Sequence, residues 1–226
     1  MVTDERRIRI ITGYYGSGKT EFAVNYVKAL RAAGKKAAIA DLDIVNVYFR
    51  SREKKAELEE LGIEVISSSV DEDNCDLPAL STYIRTPMLD KSYDYVIDLG
   101  GSEVGANVLG RYTNDIDPNE VDFLMVVNVF RPETGSVDDI ITQIQRLEEK
   151  SHLKVTGFVN NSNLIHETTV ADIVEGDKFL REVSEKTGIP ILYTTCMDEV
   201  KDAENLQSQV QGEVFSMHYN MRKIWM

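Results

Sequence analysis

The sequence predicts an α/β fold in which a mostly parallel sheet is covered by helices on both faces. Two patterns carry this. Short β-rich runs alternate with longer helical stretches along the chain, and that alternation implies right-handed crossovers between parallel strands. Most of the β-rich runs are continuously apolar rather than alternating, as expected of strands buried on both sides. A third observation, a glycine-rich turn between the first strand and the first helix, points to the sheet edge where such folds place ligands.

In chain order, a first strand is predicted at Arg7–Thr12 and a helix at Gly18–Ala33, stopped by Gly34. A strand at Lys36–Asp41, a helix at Arg52–Leu61 and a strand at Ile63–Ile66 follow. The polar, acidic segment Ser67–Pro78 reads either as a solvated surface loop or as a flexible site. Strands at Tyr93–Asp98 and Asp122–Val129 precede a helix at Thr134–Glu149. A strand at Lys154–Asn160, a helix at Thr169–Thr187 ended by Gly188, and a strand at Ile189–Thr194 opened by Pro190 come next. A further helix is expected after Asp198, toward the C-terminus. No linker or repeat divides the chain, so 1–226 is expected to form one domain.

Bulk properties exclude several classes. The 226 residues are 42% apolar and 28% charged, with 25 basic and 38 acidic side chains and a net charge of −13. That balance opposes electrostatic binding to DNA or to an anionic membrane, so no nucleic-acid partner is expected. The two cysteines, Cys75 and Cys196, form no CxxC and read as reduced thiols. His152, His166 and His218 do not cluster and suit surface or packing roles. No signal-peptide core opens the chain and no run reaches the ~20 apolar residues of a membrane span, which predicts a soluble, cytoplasmic protein.

The segment Gly13-Tyr14-Tyr15-Gly16-Ser17-Gly18-Lys19-Thr20 satisfies G-x-x-x-x-G-K-[ST] in full, between a strand and a helix. Glycines let successive backbone N–H groups curl around phosphate oxygens, and the helix N-terminus adds positive partial charge. Lys19 supplies a cation for the β- and γ-phosphates, and the Thr20 hydroxyl can ligate Mg²⁺. Two acidic strand ends accompany the loop. Asp41-Leu42-Asp43 closes the second strand, and Asp98, followed by Gly100 and Gly101, closes the fourth. An apolar strand ending in Asp suits a residue that holds Mg²⁺, and the glycines after Asp98 allow backbone to approach a γ-phosphate.

These residues resemble a known group. The run GYYGSGKTEFAVNYVKALRAAGKKAAIADLDIVNVYFRSRE, which places Glu21 beside the loop, is similar to the start of the CobQ/CobB/MinD/ParA nucleotide-binding proteins, SIMIBI-class P-loop NTPases. DLGGSEVGANVLGRY, VVNVFRPET and GFVNNSNL resemble an uncharacterised bacterial branch of that group. The resemblance implies a three-layer α/β/α P-loop NTPase fold with about seven strands, binding ATP and Mg²⁺. It implies that Asp43 positions or activates the attacking water beside the metal, and that Asp98 supports Mg²⁺. It further implies that Asn161, with Asn160 as the alternative, reads the base.

Three departures stand out. Tyr14 occupies the position of a lysine that bridges nucleotide-sandwiched dimers, which leaves a homodimer possible but removes that bridge. Val47 follows Asn46 where the branch has proline, in the segment Ile44–Arg50. Cluster cysteines are absent, and the terminal MRKIWM is too short for a membrane-targeting helix. The first functional expectation is therefore an ATPase switch read by an unknown protein partner. The alternatives are an ATP-dependent ligase amidating a small carboxylate, and a nucleotide-loaded binding module such as a metallochaperone.

Overall fold

Residues 6–43, 54–67 and 82–221 are described by a computed structural model. Ile44–Arg50, residues 68–78 of the acidic loop with Cys75, and residues 222–226 lie outside the described residues. The strands are β1 (Ile8–Thr12), β2 (Ala37–Leu42), β3 (Glu64–Ser67), β4 (Asp94–Leu99), β5 (Val121–Val127), β6 (Gly157–Asn160), β7 (Ile191–Met197) and β8 (Glu213–Met217). The helices are α1 (Lys19–Ala32), α2 (Lys55–Glu60), α3 (Arg85–Leu89), α4 (Glu103–Gly110), α5 (Val137–Ser151) and α6 (Val170–Thr187). One sheet runs in the order β3-β2-β4-β1-β5-β6-β7-β8, with every pairing parallel.

The continuous apolar runs are buried on both faces. Along β5, Phe123, Met125 and Val127 join a core under α4, α5 and α6, while Leu124 and Val126 join one under α1. The α1 core carries an aromatic group of Phe22, Tyr26, Tyr193 and Phe215. Arg9 is fully buried on the central strand and is charge-paired to Asp94 at the start of β4. Burying an unpaired guanidinium is prohibitive, so that partner makes the charge tolerable.

The C-terminal region departs from the sequence expectation. Among the described residues no α-helix follows Asp198. A short 3-10 helix, Ala203–Ser208, leads instead to an eighth strand, β8, beside β7. Leu206 and Val210 pack with Ile173 and Cys196 as a small cluster. The run Glu213–Met217 buries only Phe215 and Met217, the alternation of an edge strand with one face on the core. Helix α4 was also not expected, because two glycines lower its helix propensity. Gly105 is required there: a Cβ would lie 2.3 Å from Gly100 O. Ser102 caps the helix by accepting from Gly105 N at 3.4 Å. Among the described residues no helix is long and apolar enough to cross a membrane.

Candidate functional site

The site forms where β1 ends. A turn closes with Ser17 N donating to Tyr14 O at 3.0 Å, and Gly18 enters α1 as its N-cap in the left-handed region, φ 84°. No side chain caps this helix, so its first N–H groups remain available to an anion. The φ of 84° favours glycine at Gly18, and a Cβ there would lie 2.2 Å from Asn161 Nδ2 and displace that side chain.

Lys19 is buried among carboxylates. Its Nζ lies 2.5 Å from Asp43 Oδ2 and 3.9 Å from Asp98 Oδ1. Thr20 Oγ1 donates to Asp98 Oδ2 at 2.7 Å. Asp41 and Asp98 are register partners on β2 and β4, which sets a third carboxyl into the group. Asp41 Oδ1 accepts from Asp43 N at 3.1 Å, while the buried Asp41 Oδ2 and Asp98 Oδ1 accept no hydrogen bond among the described residues. Burial works against the Lys19 charge, but Asp98 and Asp43 more than offset it and its pKa is raised. Burial raises the Asp98 pKa against the pull of Lys19 and Thr20. Burial, then repulsion from Asp98, pushes Asp41 up to about 7.

The Asp41 shift has a measurable consequence. The unfolded chain releases this proton near pH ~4, the folded protein near 7. Between those values the folded state holds more protons, so this group makes stability fall as pH rises. Urea midpoints of the ligand-free wild type are expected to drop more across that window than those of Asp41→Asn. Equal slopes would show that Asp41 is ionised in the folded protein.

Among the described residues no group of three or more His, Cys, Asp or Glu side chains is arranged to hold a metal by itself. A phosphate-loop magnesium does not need one, since it draws on a hydroxyl, phosphate oxygens and water. The Thr20 hydroxyl beside the unbonded Asp98 Oδ1 fits that requirement.

The β4–α4 loop presses on the phosphate loop. A Cβ on Gly101 would lie 1.9 Å from Gly13 O, and one on Gly100 would lie 2.8 Å from Asp43 Oδ1. Gln143 of α5 holds this loop, its Nε2 donating to Gly101 O at 3.2 Å. A cavity of about 200 Å³ opens between the two loops, lined by Gly13, Tyr14, Tyr15, Lys19, Asp43, Gly100, Gly101 and Ser102.

The structure thus brings Lys19, Thr20, Asp43, Asp98 and Gly101 together. Asn161 reaches the same loop from the other side: Nδ2 donates to Ser17 O at 2.6 Å, and Oδ1 accepts from Thr195 Oγ1 at 2.5 Å. Asn160 turns away, donating to Ile173 O of α6 at 3.0 Å and accepting from Ser162 N at 3.2 Å. The Glu21 carboxylate faces the C-terminal segment, accepting from Asn220 N at 2.5 Å and Met221 N at 3.1 Å. Tyr14 is half-buried within electrostatic reach of Arg146 and Asp139 on α5, burial raising its pKa, whereas Tyr15 is 67% exposed. Gln143 and Arg131 were not singled out from sequence. The available signal for Gln143 was a polar side chain on the buried stripe Ile140, Ile144, Leu147 of α5.

No protein-family model matches the sequence, and no curated protein matches it. Solved structures do. Chloroplast FtsY from Physcomitrella patens superposes with a TM-score of 0.55 at 16% identity, covering 85% of this chain and 59% of its own. Cell division protein FtsY from Thermotoga maritima gives 0.54 at 22% identity, covering 85% and 62%. FtsY from Mycoplasma mycoides gives 0.52 at 18% identity, covering 84% and 59%. The chain shares the fold of these structures, one parallel sheet with helices on both faces. At these identities the likeness is one of fold, and it does not single out the CobQ/CobB/MinD/ParA group. The chain spans about three fifths of the length of these structures.

Proposed function

We propose that this protein is a Mg²⁺-dependent ATP-binding switch that hydrolyses ATP and is read by a protein partner. The observation that carries the reading is the ion pair between Lys19 and Asp43 beside the Gly100–Gly101 loop. Without nucleotide, the Lys19 charge is held by Asp43. A triphosphate in the loop competes for Lys19 and frees the Asp43 carboxylate for water. That water attacks the γ-phosphorus and gives up its proton to Asp43, the bond to the β-phosphate oxygen breaks, and ADP and phosphate leave. Thr20 and Asp98 would hold Mg²⁺, which would supply charge neutralisation to the phosphates.

The switch follows from packing. Gly101 lies against Gly13, and Gly100 against Asp43, so a γ-phosphate entering between the two loops repositions the β4–α4 loop and, through Gln143, α5. Asn161 is the base-side residue in this reading, consistent with its place on the loop at Ser17. ATP rather than GTP rests on the sequence resemblance. The ligase reading leans on the acidic loop Ser67–Pro78 and the polar segment Asn128–Thr134, whereas the Lys19–Asp43 pair beside the Gly100–Gly101 loop favours the switch.

Phosphate release, measured with ATP and GTP in Mg²⁺ or EDTA, tests this. Wild type is expected to turn over ATP only with Mg²⁺. Asp43→Ala is expected to bind ATP at least as tightly, because Lys19 is released, while phosphate release falls about 100-fold. Full turnover in Asp43→Ala would remove Asp43 from the water-positioning role. Turnover equal in EDTA would remove the metal.

A further inference from the structure

Outside the carboxylate group, one side chain is aimed at the phosphate loop without a role in the scheme above. Arg131 follows β5, and its Nε donates to Gly16 O at 3.0 Å. The guanidinium lies over Gly16, where a Cβ would meet Nε at 3.2 Å and Cζ at 3.4 Å. Its backbone is firmly rooted. Arg131 N donates to Asn128 O at 3.1 Å, Arg131 O accepts from Thr134 N at 3.0 Å, and Asn128 and Thr134 are both buried. Among the described residues, Nη1 and Nη2 make no hydrogen bond. The arginine therefore offers the two ends of its fork at the rim of the loop.

The sheet order says which end of a nucleotide those donors would meet. Lys19 takes its partners from β2 and β4, on one side of β1. Arg131 and Asn161 follow β5 and β6, on the other side, and they hold the successive carbonyls of Gly16 and Ser17. A triphosphate with its γ-end among Lys19, Asp43 and Gly101 runs its nucleoside end toward β5 and β6. A guanidinium can there donate to α-phosphate or ribose oxygens and offer a flat cationic face to a base.

We propose that Arg131 is a specificity-determining residue for the nucleoside monophosphate end of the bound nucleotide, acting opposite the γ-phosphate machinery. The proposal rests on the nucleotide-site reading above and adds a residue to it. It assigns Arg131 a contact that ATP and ADP share and that inorganic pyrophosphate lacks.

That difference supplies the test. ATP and ADP are titrated calorimetrically into wild type, Arg131→Ala and Arg131→Gln, and inorganic pyrophosphate is titrated in parallel, all with Mg²⁺. Arg131→Ala is expected to weaken ATP and ADP alike, by about tenfold, as for loss of a charge-assisted contact. Pyrophosphate affinity and the ligand-free melting temperature are expected to stay at wild-type values. If Arg131→Ala does not fold, Arg131→Gln is read instead, with the same expectation. Unchanged ATP affinity overturns the proposal. So does a parallel loss of pyrophosphate affinity, which would mean that Arg131 only shapes the loop, and so does a loss confined to ATP, which would place it at the γ-end. Wild type that binds none of the three ligands would retire the nucleotide site itself. Binding by wild type with an unaffected variant would retire only the role of Arg131.

Discussion

Lys19→Ala is expected to weaken ATP binding by on the order of 100-fold, because it deletes the buried ammonium that faces both strand-end carboxylates. Calorimetry with MgATP reads the loss directly, and unchanged affinity would refute the phosphate role of Lys19. The same substitution reaches the fold. Asp43 and Asp98 side chains are 5% and 0% exposed, and without Lys19 they lose the ammonium they share. Breaking a buried pair by removing one member costs about 3 kcal/mol, reduced here to the extent that a carboxyl takes up a proton. The double variant Lys19→Ala/Asp43→Ala separates the two effects. It is expected to recover part of the lost stability and none of the lost affinity. Recovery of both would mean that the phosphates are held by backbone alone.

Gly101→Ala is expected to abolish phosphate release while the protein stays folded with a loss of about 1–3 kcal/mol. The new methyl would sit 1.9 Å from Gly13 O and 2.5 Å from Gly13 C, and both neighbours are backbone, so no rotamer change relieves the clash. The β4–α4 loop must withdraw from the phosphate loop. Withdrawal carries Gly100 away from Asp43 and pulls on the Gln143 bond to α5. Nucleotide affinity is expected to fall less than turnover, because Lys19, Thr20 and the helix N-terminus are untouched. Phosphate release and thermal unfolding measured on the same sample decide it. A variant with wild-type turnover would show that contact between the loops is not needed for hydrolysis, and the switch mechanism would fall.

Much of this site was legible in the chain. Gly13–Thr20 could be read because its spacing is local: a strand, a tight turn and a helix within twenty residues bring Lys19 and Thr20 to one place whatever surrounds them. Asp43 and Asp98 were legible for a related reason, since each ends an apolar strand and parallel strands all end on the same edge. The C-terminal region was less legible. An edge strand buries one face only, so Glu213–Met217 lacks the continuous apolar run that marked the inner strands.

What the sequence determined by itself was therefore the fold class and the residues that end its strands, because both follow from patterns within short stretches of chain. Only the tertiary structure decided partnership. That Asp41 stands beside Asp98 follows from the β2–β4 register, and no spacing within either strand contains it. That Asn161 and not Asn160 meets the phosphate loop follows from neighbouring residues at a strand end pointing to opposite faces, which tells nothing until the faces are known. That Arg131 lies over Gly16, 115 residues earlier, follows from β5 pairing directly with β1. Strand order is set by how apolar faces bury together across the whole chain, and that is a property no local pattern holds.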